Sequence, residues 1–172
     1  MSKSGEALSK ALVVAPNAAL SVFRTIMDVA IDGAGPLPGA RKAAGATLNR
    51  KGEVEAAIDA LVRSHIGMAG AQGFLANLGG WVTIPVALPA NMGALATLQA
   101  RMVAAISHLR GYDVDDPRVR TAIFTCLLTQ DSVDELIRNE KIPSTPMAMA
   151  TAPVSDPELE KTVATHVVET LG

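Results

Sequence analysis

The sequence predicts an all-α protein, a compact helical bundle around a central helical hairpin bent at glycine and proline. Three observations carry this. Apolar residues recur at the three- and four-residue spacing of a helix in most segments. Helix start and stop chemistry flanks several of those segments, as at Gly111 and Asp116-Pro117. Residues 66–100 run for 35 residues without a charge, yet hold six glycines, two prolines and the only tryptophan. That mixture suits two close-packed helices joined by a bend better than one straight membrane span, although the run is long enough to raise the question.

In chain order, residues 1–14 read as a short helix ended at Pro16-Asn17, with Asn17 placed to cap the next one. Over 18–31, Leu20, Val22, Phe23, Ile26, Met27, Ala30 and Ile31 form a helical stripe. Residues 33–39, GAGPLPG, read as a loop. Residues 41–51 are polar and helical in pattern, with Arg41, Lys42, Arg50 and Lys51. They make either a solvated face or a contact with anionic lipid headgroups.

A long helix opens at Glu53, where carboxylates in the first turn oppose the positive end of the helix dipole. Val54, Ile58, Leu61, Val62 and His65 share its stripe, and Gly67, Gly70 and Gly73 form a notch for another helix. Gly79-Gly80 closes it, and residues 81–89, with Pro85 and Pro89, make the bend.

The return helix spans about residues 90–110. Leu95, Leu98, Met102, Ile106 and Leu109 face inward, with Thr97, Arg101 and His108 opposite. Gln99 lies beside the apolar stripe, where a buried amide needs partners, either in the bend or on a ligand. Gly111 suits the left-handed closing turn. A helix over 117–129 turns Val119, Ile123, Cys126 and Leu127 inward, and a shorter charged one covers 131–141. Residues 142–155 read as irregular. Ser155-Asp156-Pro157-Glu158 reads as a capping box opening a last helix with Leu159, Val163 and His166 on its apolar face.

Composition narrows the function. A chain of 172 residues suits one domain with one core. The net charge of −2, with Lys and Arg dispersed, leaves no footprint for nucleic acid. Hydrophobic residues make up 49% and mean hydropathy is +0.28, while aromatics are only 3%. The core is therefore built from small and aliphatic side chains, and an exposed apolar patch or a lipid contact is expected.

The single cysteine, Cys126, excludes an internal disulfide and any zinc site needing two thiolates, and its apolar setting reads as a small buried hydrophobe. The apolar run 11–15 is too short for a secretory signal, and Ser2 stands where myristoylation needs glycine. The expected compartment is the cytoplasm, with peripheral contact to the inner face of the cell membrane.

Chemistry-bearing clusters are sparse. Asp113, Asp115 and Asp116 lie close together but lack the glycine and bidentate glutamate of a calcium loop, so capping explains them better than a metal. His65, His108 and His166 show no ligand spacing, and no nucleophile elbow or phosphate loop occurs. An enzyme reading would need Arg101, His108 and Asp113 around a substrate, although seven residues separate Arg101 from His108, about 10 Å along a helix. Neither a metal nor a cofactor is expected.

The motifs GFLANLGGWVTIPVALPANM and LQARMVAAISHLRGYDVDDPRVRTAIFTCLL make residues 53–128 resemble the EcsC protein family. The family pattern falls on Gly79, Gly80, Pro85, Pro89, Gln99, Arg101, Met102, Gly111, Tyr112, Asp113 and Pro117. The resemblance implies a bacterial, mostly helical protein, in a family named for a product encoded beside an ABC transporter and without a firmly established activity.

The expected function is non-catalytic binding of an apolar, lipid-like ligand or a membrane surface through residues 66–100. Gly67, Gly70, Phe74, Trp81, Ile84, Leu88, Met92, Gln99 and Met102 are the candidate binding residues. The alternatives are an assembly module, pairing with a second copy or a transporter subunit, and an enzyme whose site has no familiar signature.

Overall fold

A computed structural model describes residues 15–70 and 90–171, with side chains described at 15–68 and 92–171. In order these form α1 (Pro16–Asp32), β1 (Gly33–Ala34), β2 (Leu37–Pro38), α2 (Ala40–Lys51), α3 (Val54–Gly70), α4 (Ala90–Leu109), α5 (Pro117–Thr125), α6 (Gln130–Arg138), α7 (Pro146–Ala150) and α8 (Pro157–Leu171). The all-α fold is as expected. The proposed first helix, the bend, and with it Phe74, Trp81, Ile84 and Leu88, lie outside the described residues.

α1 buries Val22, Phe23, Ile26, Met27, Ala30 and Ile31, the stripe its sequence spells out, against α8 and α4. Its start differs from expectation. Ala15 is the N-cap, with no side-chain bond, and Pro16 takes the first turn in place of a cap by Asn17. Proline is suited there because its φ is already helical and its missing N–H has no partner to lose.

Residues 33–39 are not an open loop. They close as a two-stranded antiparallel hairpin, Gly33 opposite Pro38 and Ala34 opposite Leu37. Gly33 turns with φ +91°, and a Cβ there would stand 2.5 Å from the Leu37 carbonyl oxygen. Leu37 then inserts between Ala94, Leu98 and Val29, which fixes the hairpin against α4.

α4 is the central element, packed on α1, α2, α3 and α5. Its inward face is not the stripe of large side chains. Ala94, Ala96, Ala100, Ala104 and Ala105 are buried together with Leu98, whereas Leu95, Met102, Ile106 and Leu109 are only half-buried at its margins. Four neighbouring helices can approach one rod only if its side chains are small, so alanine takes the centre and the bulky residues its borders.

The same rotation corrects three expectations. Thr97 and Arg101 face inward, at 0% and 4% exposure, while Gln99 faces solvent. Thr97 settles its hydroxyl by donating to the Gly93 carbonyl at 2.8 Å. α4 ends at Gly111, φ +87°, where Tyr112 N–H bonds the Ser107 carbonyl at 3.0 Å.

Asp116 caps α5 as expected, accepting from Arg118 N–H at 2.8 Å with Pro117 next in line. The Arg118 guanidinium also donates to this carboxylate, which holds its pKa down to about 2. α5 stops at Thr125 rather than 129, because Leu127 and Leu128 make three-residue turn bonds to Phe124 and Thr125. That tightening turns Cys126 outward, against the expected burial. Phe124 is fully buried, edge-on to Phe23 with ring centroids 4.9 Å apart.

Residues 142–155 include the short helix α7, capped by Thr145. Asp156, rather than Ser155, supplies the capping oxygen of α8, accepting from Glu158 N–H at 3.0 Å. α8 buries Val163, Ala164, Val167 and Val168, with Leu159 and His166 half-buried at the edge of that face.

Exposed ion pairs tie the elements together. Arg41 joins Asp32 at 2.6 Å and Asp115 at 2.7 Å, Arg120 pairs with Asp28, and Arg110 with Glu55. Such pairs contribute little individually, about 0–1 kcal/mol. Arg41 is thereby committed within the fold, which weakens the lipid-headgroup reading of residues 41–51.

Candidate functional site

Arg101 is the one buried cation among the described residues. α4 carries it inward on its alanine face, and the guanidinium crosses to two other elements. Its Nε–H donates to the Pro38 carbonyl of the hairpin at 2.6 Å. Its Nη1 lies 2.8 Å from Nε2 of His65 on α3.

The other ring nitrogen of His65, Nδ1, is 2.8 Å from the Leu61 carbonyl one turn earlier. A carbonyl only accepts, so Nδ1 must carry the proton and Nε2 must present its lone pair to Arg101. The imidazole is therefore neutral. Burial lowers its pKa, and the adjacent guanidinium charge lowers it further against the opposing pull of the Leu61 carbonyl.

The arrangement has polar partners but no countercharge among the described residues. None of the ion pairs among the described residues involves Arg101. Residues 71–89, which join α3 to α4, contain no charged residue. Hydrogen bonding is not what is missing, since no fully buried side-chain nitrogen or oxygen among the described residues lacks a partner. Burial lowers the Arg101 pKa, yet a guanidinium stays protonated at any physiological pH. Among the described residues, a positive charge thus has only carbonyl and imidazole dipoles to offset its desolvation, which ordinarily costs several kcal/mol.

Stability should report this centre through pH. The unfolded chain protonates His65 at its ordinary value near 6.5, whereas the folded chain resists protonation. Below that value the unfolded state binds more protons, so stability falls as pH drops, by up to about 1.4 kcal/mol per pH unit for one group. Arg101 is the charged group depressing it, while Pro38 and Leu61 contribute only carbonyls. Urea midpoints should fall from pH 7.5 to pH 5.5 in the native sequence, and His65→Leu should flatten that slope. Equal slopes in both proteins would remove His65 from the account.

The binding residues expected from the sequence are only partly brought here. Met92 and Met102 are half-buried on α4 and Gln99 is exposed, so Gln99 is not a buried amide awaiting a ligand. Gly67 is exposed, and a Cβ there would meet nothing within 4 Å among the described residues, so none of the described helices fills the notch at that position. Gly70 ends α3. Among the described residues, close helix approach occurs along the α4 alanines, and Gly73 of the expected notch lies outside them.

The three residues of the enzyme reading do not share one site. Arg101 is buried, His108 is exposed, and Asp113 accepts from the Asp115 backbone at 3.0 Å. No cluster of three metal-ligating side chains occurs among the described residues.

A separate apolar groove of about 160 Å³ lies between α4, α5 and α7, lined by Val103, Tyr112, Ile123, Cys126, Met147 and Ala150. It contains none of the expected residues. Although Cys126 is exposed at the groove's edge, partial desolvation by these apolar neighbours pushes its thiol up, which disfavours the reactive thiolate.

Sequence reasoning placed His65 in its stripe and Arg101 in the family-like pattern, but missed that they meet. One signal was available: Ala94, Leu98, Arg101 and Ala105 follow helical face spacing, which puts a cation in line with small apolar residues.

Fold and site together define an all-α protein whose central helix holds a buried arginine with no carboxylate partner among the described residues. Compared with protein-family models, curated proteins and solved structures, the chain matches none. No helix among the described residues is long and apolar enough to cross a membrane.

Proposed function

We propose that this chain binds a lipid-like ligand or a membrane surface through residues 66–100 and performs no catalysis. The observation that carries the reading is the charge-free run of 35 residues, whose first side chain, Ile66, is 66% exposed on α3. On the returning arm Met92, Leu95 and Met102 remain half-buried. Apolar surface left in water at about 25 cal/mol per Å² favours any partner that covers it. Mechanistically, α3 and α4 part or present their faces, and acyl chains replace the contacts between them. The resemblance of the ordered motif to the EcsC family supports a bacterial setting near the inner face of the cell membrane.

The test is flotation of delipidated protein with phosphatidylglycerol/phosphatidylethanolamine vesicles, paired with uptake of a fluorescent fatty acid. Binding in either assay is expected, and failure in both contradicts the reading. Met147 and Val154, exposed at 70% and 73%, favour a second reading in which apolar surface pairs with another copy or a transporter subunit. A dimer by light scattering at low concentration, with no lipid uptake, would select it.

A further inference from the structure

We propose that Arg101, positioned by His65 and the Pro38 carbonyl, is an oxoanion-binding centre that takes the carboxylate or phosphate head of an acidic amphiphile. The inference deepens the lipid-like reading and rests on it for the ligand's tail alone.

Three features of the centre point to an oxoanion. First, Arg101 is 4% exposed, yet none of the ion pairs among the described residues involves it and residues 71–89 offer no carboxylate. Where the fold pairs its other arginines, as at Arg41, Arg110, Arg118 and Arg120, it supplies acidic side chains. Second, the fork is held from two sides, by the hairpin at Nε and by His65 at Nη1. These bonds use two of five N–H donors and fix the plane, which is the preorganisation that bidentate recognition of carboxylate or phosphate needs. Third, Arg101 reaches from α4 to α3, the two arms that run into and out of the uncharged stretch. Parting those arms for an acyl chain brings its head to the guanidinium. An anion there supplies a countercharge that the described residues do not, and His65, already neutral, contributes no charge that competes with it.

Calorimetric titration of the full, delipidated chain tests this with oleate below its micellar concentration, oleyl alcohol with the same chain but no charge, and inorganic phosphate. Oleate is expected to bind at least tenfold tighter than oleyl alcohol. Arg101→Met should abolish that preference while leaving oleyl alcohol within about twofold. Phosphate binding that depends on Arg101, with no gain from the acyl chain, would support the oxoanion centre and count against the lipid-like reading. Equal affinity for oleate and the alcohol, insensitive to Arg101→Met, would support the lipid-like reading and overturn the centre, and no binding of any probe overturns both. Should Arg101→Met fail to fold, ¹⁵N spectra of the His65 ring in the native chain serve instead. Its Nε2 resonance should move on adding oleate and stay fixed with the alcohol, and no movement with oleate overturns the proposal.

Discussion

Phe124→Ala is expected to lower stability by about 4 kcal/mol, enough to reduce the thermal midpoint by roughly 12 °C. Phe124 is fully buried and stands edge-on to Phe23, at 81° between rings. Removing it forfeits its own transfer free energy, leaves a void beneath α1, and takes away the edge-to-face partner of Phe23. The chain has only three phenylalanines, so few bulky neighbours could collapse into the space. Because α5 also packs on α7 and α8, the loss should appear as one cooperative shift rather than local fraying. Phe124→Leu should cost markedly less. A change under about 1 kcal/mol for the alanine variant, read by urea denaturation, would mean the α1–α5 contact is not a central part of the core.

Gly39→Ala is the second large effect, at about 3 kcal/mol. A Cβ on Gly39 would collide with the Ile31 carbonyl oxygen and approach Asp32 C to 2.5 Å and Cα to 2.8 Å. These are backbone atoms at the end of α1, so relief requires moving the hairpin as a unit. The hairpin presents the Pro38 carbonyl to Arg101 one residue before the clash. The substitution should therefore perturb the buried centre as well as the fold, and His65 ring resonances should shift with it. Gly45→Ala is the control, since a Cβ there meets nothing within 4 Å among the described residues and the backbone is already helical. Equal stability of the two variants would show that the tight approach at Gly39 does not constrain the hairpin.

How much of this was legible depends on how local each cause is. The stripe of α1, the Asp116-Pro117 start of α5 and the Gly111 stop of α4 are written in adjacent residues and could be read directly. The inward face of α4 could not, because hydrophobic periodicity favours large side chains. Four packed neighbours instead select Ala94, Ala100 and Ala104 and bring Arg101 in with them. The hairpin was hidden by its size: two residues per strand carry no alternation to detect. The Arg101–His65 contact spans 36 residues, and the carbonyl of Pro38 is a backbone acceptor with no side-chain signature at all. Cys126 was misplaced for a local reason, since its apolar neighbours do not reveal that the helix tightens at Thr125.

The central claim is that residues 66–100 offer more apolar surface than the chain covers alone, with Arg101 holding the polar end of what covers it. A native mass spectrum of the protein, released gently from cells without detergent, tests this most directly. The account predicts a discrete added mass matching an acidic long-chain amphiphile, present in the native sequence and lost in Arg101→Met. A bare monomer in both proteins, which stays bare after incubation with oleate, would contradict it.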